Sequence, residues 1–192
     1  MRIGIITGEY PPREGGVGAY TQILARHFVE MQHDVSILCR ADAHEADDRI
    51  QLHNVVEKWQ FNTLRTIAQW IESHKLDVVN LQFETAAYDM SAWVHLTPRY
   101  TGNVPIVTTF HDLLVPYLFP KAGPLRTWIV KHLARASDGV IVTNHEDYQQ
   151  LRGIASKQLS PIGSNIDTHL PENFDRSAWR QHAGAGEDDF LV

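Results

Sequence analysis

MRIGIITGEYPPREGGVGAY, residues 1–20, reads as a short apolar strand over 2–7, a proline-containing turn, and a glycine cluster inside which a helix begins. Open α/β sheets bind ligands at the carboxyl ends of their strands. Glycines at a helix start let an anion approach free backbone N–H groups and the positive end of the helix dipole. A phosphate-bearing ligand near Gly15, Gly16, Val17 and Gly18 is one reading of this turn. The other is that the glycines make a tight turn and allow close helix–sheet packing.

Outward from this turn, Val/Ile-rich runs alternate with segments of helical period, the pattern of βαβ units. Strands are predicted at 2–7, 34–39, 77–83, 104–110 and 138–143, with weaker ones near 50–56 and 157–162. Their near-continuous apolar character fits strands covered on both faces. Val17, Tyr20, Leu24, Phe28 and Met31 recur at helical spacing over 17–32, and Phe61, Leu64, Ile67, Ala68 and Ile71 do so over 60–74. Further helices are predicted at 86–97, 124–136 and 145–153. The resulting fold class is α/β, with a doubly wound, mostly parallel, Rossmann-like sheet. Residues 163–175 read as loop and Arg176–His182 as a short helix, and Asp189–Val192 begins an apolar strand with nothing to follow it. The expected organisation is one domain over 1–170, with 171–192 as a linker and the start of a truncated second domain.

Composition narrows the function. Across 192 residues, 43% are apolar and the formal charge is −6, which suits a packed core and argues against a broad electrostatic grip on nucleic acid. The single cysteine, Cys39, falls in a predicted strand, where a thiol acts as a small apolar side chain; with no disulfide framework, a reducing cytoplasm is expected. The N-terminus lacks the longer apolar region and cleavage site of a signal peptide, and no run is long enough to span a membrane. The turn itself departs from a dinucleotide-binding frame: set on Gly16 and Gly18, that frame requires glycine at 21, where Thr21 stands. Arg40, not a carboxylate, closes strand 34–39, and no Gly-Lys-Ser/Thr follows to make a Walker A loop.

The string EYPPREGGVGAY over 9–20, followed by Leu24-Ala25-Arg26, resembles the opening of group 1 retaining glycosyltransferases, glycosyltransferase family 4. Three later segments match that family in order: Val107–Asp112 its strand ending in His-Asp, Val140–Asn144 with Leu151 its strand and following helix, and Pro161–Asp167 its Pro-Asn-Gly-Val-Asp linker. Asn144 replaces the usual Ser, and Gly163-Ser164-Asn165 replaces Pro-Asn-Gly. The resemblance implies the N-terminal, acceptor-side half of two facing Rossmann-like domains (GT-B). The family's second domain carries the basic pair and the Glu-x7-Glu segment that hold the donor. It also implies retaining sugar transfer from a nucleotide-diphosphate sugar to a hydroxyl acceptor, without a metal or other cofactor, and inactivity of these residues alone.

Candidate residues come from strand ends and from the resemblance together. His111 closes strand 104–110, and the resemblance brings it to the donor sugar; Asp112 either orients His111 or caps the segment beginning at Leu113. Gly15, Gly16, Val17 and Gly18 would face the donor phosphates and acceptor. Glu9, Tyr10, Gln82 and Glu84 are acceptor-ligand candidates or polar groups at the edge of the sheet. Asn144 reads as a helix N-cap. Residues 121–135 carry Lys121, Arg126, Lys131 and Arg135 without an acid, interleaved with Leu125, Trp128, Ile129 and Leu133. Such a helix either rests on an anionic membrane, binds a phosphorylated acceptor, or lays a solvated basic face over a buried stripe. Two other functions remain open: a sugar- or phosphate-binding module without catalysis, and a dinucleotide-dependent oxidoreductase domain.

Overall fold

The computed structural model describes residues 1–113, 125–163, 172–186 and 189. The chain divides into a unit over Met1–Ile162 and a second over Gly163–Val192.

Seven strands build the first unit: β1 (Arg2–Thr7), β2 (Asp34–Arg40), β3 (Ile50–Val56), β4 (Val78–Phe83), β5 (Ile106–Phe110), β6 (Gly139–Val142) and β7 (Lys157–Leu159). They form one sheet in the order β3-β2-β1-β4-β5-β6-β7, parallel at every pairing. After β3 the chain crosses β2 and β1 to lay β4 on the far side of β1. The strand order therefore reverses between β1 and β4, and there the carboxyl edge opens a crevice.

Period-two alternation sorts the central strands' side chains onto two faces. Leu81 and Phe83 of β4 and Ile106 and Phe110 of β5 join a large core with Leu64, Ile67 and Trp70 of α2 (Phe61–His74) and Val130 and Leu133 of α3 (Leu125–Ala136). Ile3 and Ile5 of β1 and Val35, Ile37 and Cys39 of β2 join a smaller core with Ala25 of α1 (Gly16–Glu30). The Cys39 thiol is fully buried and unpaired, and burial pushes its pKa up to about 12, so it packs as an apolar group.

Helix 86–97 is corrected. The chain instead makes 3₁₀ turns over Ala86–Tyr88 and Trp93–Tyr100, broken by Asp89 and Met90 at φ 54° and 58°, with Pro98 lacking the N–H a helix needs. Strand 104–110 starts at Ile106, after Pro105. α4 (His145–Gln150) ends before Gly153 at φ 86°, short of the predicted 153, and β7 stops two residues before Pro161. In the second unit, α5 (Arg176–His182) starts at Asp175, whose carboxylate accepts from the N–H groups of Ser177 and Ala178 at 2.9 and 3.0 Å. Ser164–Pro171 and the predicted strand beyond Asp189 lie outside the described residues.

Candidate active site at the carboxyl edge of the sheet

The crevice gathers residues from three adjacent strands. β1 delivers Gly8-Glu9-Tyr10, β4 delivers Gln82 and Glu84, and β5 delivers His111 and Asp112. Val107, Thr109 and His111 alternate onto the α1 side of the sheet, and the His111 ring meets Tyr20 of α1 edge-on with centroids 4.9 Å apart. Its backbone is pinned as well. His111 N–H donates to Phe83 O at 3.0 Å, and the Thr143 hydroxyl donates to His111 O at 2.9 Å.

Below the His111 ring lies a buried polar chain. His111 Nε2 is 2.7 Å from Gln82 Oε1; the Gln82 amide donates to Asn80 Oδ1; and Asn80 Nδ2 donates to Val107 O and Thr109 Oγ1, both at 3.0 Å. Gln82 is fully buried. Burial lowers the His111 pKa to about 4, so at neutral pH the imidazole is uncharged.

The glycine turn is occupied by the chain itself. Glu9 lays its carboxylate against Gly15, where an added Cβ would come within 1.9 Å of Oε1, and Oε2 accepts from Gly18 N–H at 3.4 Å. Thr7 holds this bend by donating its hydroxyl to Glu9 O at 2.7 Å. Gly15 and Gly16 are exposed while Val17 and Gly18 are buried, so the start of α1 presents its first turn to the crevice.

Tyr10 stands apart from this group. Its ring is 2% exposed, and its hydroxyl donates to Glu45, a carboxylate that also accepts from Gln22 and Arg26 at 3.1 Å and from the N–H groups of Ala46 and Asp47. Burial alone would raise the Glu45 pKa, but hydrogen bonds from Tyr10, the Asp47 backbone, Gln22 and Arg26 outweigh it and hold it at about 2. Glu84 accepts from the N–H groups of Ala86 and Ala87 at 3.0 and 2.8 Å, capping the 3₁₀ turn beside the crevice.

Asn144 does cap α4, its Oδ1 accepting from Asp147 N–H at 2.8 Å. The residue it serves, Asp147, is absent from the sequence reading. This carboxylate is 3% exposed and accepts from Leu113 N–H at 3.2 Å and Asn144 Nδ2 at 2.8 Å. It thereby fastens the segment that carries His111 and Asp112 to the start of α4. Burial raises its pKa.

Of the basic stretch 121–135, residues 121–124 lie outside the described residues; on α3, Leu125 and Trp128 are 62% and 58% exposed while Leu133 is buried. Among the described residues no helix is long and apolar enough to cross a membrane, and no group of three His, Cys, Asp or Glu side chains is placed to hold a metal ion.

Comparison with known proteins sets this geometry in context. A solved chain of sucrose-phosphate synthase from Thermosynechococcus elongatus superposes with a TM-score of 0.56 at 17% identity, covering 86% of this chain and 91% of that one, a likeness of fold. A DNA/pantothenate metabolism flavoprotein from Streptococcus pneumoniae gives a TM-score of 0.45 at 10% identity, covering 74% of this chain and 80% of its own. No curated protein matches the chain. The family model of Glycosyltransferase Family 4 matches residues 14–169, from the glycine turn through β7 and beyond. With the parallel sheet and the crevice at its carboxyl edge, that match over most of the chain makes it a member of Glycosyltransferase Family 4.

Proposed function

We propose that this chain is the acceptor-side half of a GT-B enzyme that moves a sugar, with retention, from a nucleotide-diphosphate donor to a hydroxyl acceptor. The observation that carries the reading is the neutral His111 at the carboxyl edge of β5, one strand from the switch point and backed by Gln82. Sugar transfer develops positive charge on the sugar ring while a diphosphate leaves. A site suited to it binds hydroxyl groups without placing a cation beside the ring and meets the leaving group with fixed dipoles. A neutral imidazole answers the first need, and the exposed first turn of α1 answers the second.

Glu9 gives this turn a second state. Its carboxylate covers the N-terminus that a diphosphate would approach, and two anions repel there. In the reaction we assign, Glu9 swings from Gly15 toward the acceptor hydroxyl as the diphosphate arrives. The donor's base and sugar contacts, and the basic pair that grips its phosphates, belong to a second domain, so residues 1–192 alone would not turn over. The exposed Leu125 and Trp128 on the acid-free α3 support a peripheral contact with an anionic membrane in a cytoplasmic enzyme. Sedimentation with anionic but not neutral vesicles, lost in Trp128→Glu, is the expected result; equal sedimentation of wild type and variant would remove that contact.

The test of the main proposal is transfer by the full-length protein from a panel of UDP-, GDP- and ADP-sugars, with product configuration read by NMR. Retained configuration is expected. Inversion, or no transfer from any of these donors by a folded protein, would overturn it.

A further inference from the structure

We infer that Asn80 and Gln82 are positioning residues that lock His111 in the neutral tautomer with its proton on Nε2, leaving Nδ1 to accept a hydrogen bond from a ligand hydroxyl. The direction of every hydrogen bond in the buried chain is set by its anchor. Val107 O is a backbone carbonyl and only accepts, so the group facing it at 3.0 Å must be the NH2 of Asn80. The same NH2 has a second hydrogen, directed at Thr109 Oγ1. Asn80 therefore turns its carbonyl oxygen toward Gln82, which must donate its own NH2 to it. Gln82 is left with only its carbonyl oxygen for His111, and an amide oxygen accepts. The ring nitrogen 2.7 Å away, Nε2, has to carry the hydrogen. Reversing any one link would place two donors or two acceptors face to face in a buried site, at the cost of an unsatisfied polar pair.

The surroundings hold the ring neutral as well as oriented. Gln82 from β4 and Tyr20 from α1 are the side chains packed on it, and neither carries a charge at neutral pH; burial pushes the Tyr20 pKa upward. Of the nearby carboxylates, Glu84 accepts from the Ala86 and Ala87 N–H groups and Glu9 from that of Gly18, while Asp112 is the next residue after His111 in the chain. Among the described residues Nδ1 has no hydrogen-bond partner. A nitrogen lone pair next to a crevice recognises a hydroxyl donor. It cannot deliver a proton, so His111 binds and orients but does not act as a general acid. That the hydroxyl belongs to a sugar rests on the function proposed above; the tautomer does not.

Two-bond 1H–15N spectra of the full chain test this, with His111 signals assigned by their loss in His111→Gln. We expect the Nε2–H pattern alone between pH 5.5 and 8. Gln82→Glu supplies a carboxylate and should raise the titration midpoint by about two pH units. Gln82→Leu and Asn80→Ala, which free the ring or its support, should give a mixture of tautomers. An Nδ1–H or cationic ring in the wild type at pH 7 would overturn the inference even if no variant folds, as would an unmixed tautomer in Gln82→Leu. An Nε2–H ring in a full-length protein that transfers no sugar would uphold the lock and defeat the sugar-transfer reading instead.

Discussion

His111 gains its candidacy from where the strand ends, and its chemistry from the polar chain beneath it. Replacing it with Ala in the full-length enzyme should lower kcat/KM about 10²- to 10³-fold, the usual range for a polar group aimed at the reacting centre, while the melting temperature changes little. An undiminished kcat/KM would assign the residue to packing. A second consequence concerns acid. His95, 2% exposed, and His111 are both held at a pKa of about 4 by burial, against roughly 6.5 in an unfolded chain. The unfolded state therefore binds protons first, so stability is complete above about pH 6.5 and falls as pH drops toward 4. For His95 the loss at pH 4 is on the order of 3 kcal/mol. Urea unfolding at pH 7 and 4.5 should show it, and equal stability at both values would contradict it. His111 was legible in the sequence because a motif and a strand end coincide on it. Asn80, Glu45 and Asp147 were not: Asn80 and Asp147 act through partners 27 and 34 residues away, and Glu45 through Tyr10, 35 residues away.

Among the elements, the turn from β1 into α1 is the one whose glycines differ most in what they do. A Cβ at Gly8 would sit 2.3 Å from the backbone oxygen of Ala87, which has nowhere to go, whereas a Cβ at Gly16 meets nothing within 4 Å. Gly8→Ala should destabilise the fold by about 1–3 kcal/mol and Gly16→Ala by less than about 1 kcal/mol, in chemical denaturation. Equal effects would show that the turn does not depend on the close approach of β1 to the 3₁₀ segment. Gly15→Ala displaces only the flexible end of Glu9. Like Glu9→Gln, it should tighten nucleoside diphosphate binding several-fold in the full-length protein, as expected when a competing anion leaves. Unchanged or weaker binding in both variants would remove Glu9 from that role. Helical period identified α1, α2 and α3, because each buries a broad stripe. It failed over 86–97, where apolar residues recur at helical spacing but two left-handed residues and Pro98 prevent the continuous ladder.

For the whole molecule, alternating apolar strands and amphipathic helices were enough to specify a parallel sheet, since strands covered on both faces must be apolar throughout. The order β3-β2-β1-β4-β5-β6-β7 was not readable, because it is decided by which long crossovers pack, but it is what makes the crevice. It brings the ends of β1, β4 and β5, more than a hundred residues apart in the chain, to one edge, and Glycosyltransferase Family 4 membership gives that edge a chemistry. The most direct test compares wild-type and His111→Ala full-length protein in transfer from UDP-, GDP- and ADP-sugars to hydroxyl acceptors. Transfer with retained configuration that falls about a hundredfold or more in the variant is the outcome expected here. Transfer that is absent in the folded wild type, or equal in both proteins, would contradict it.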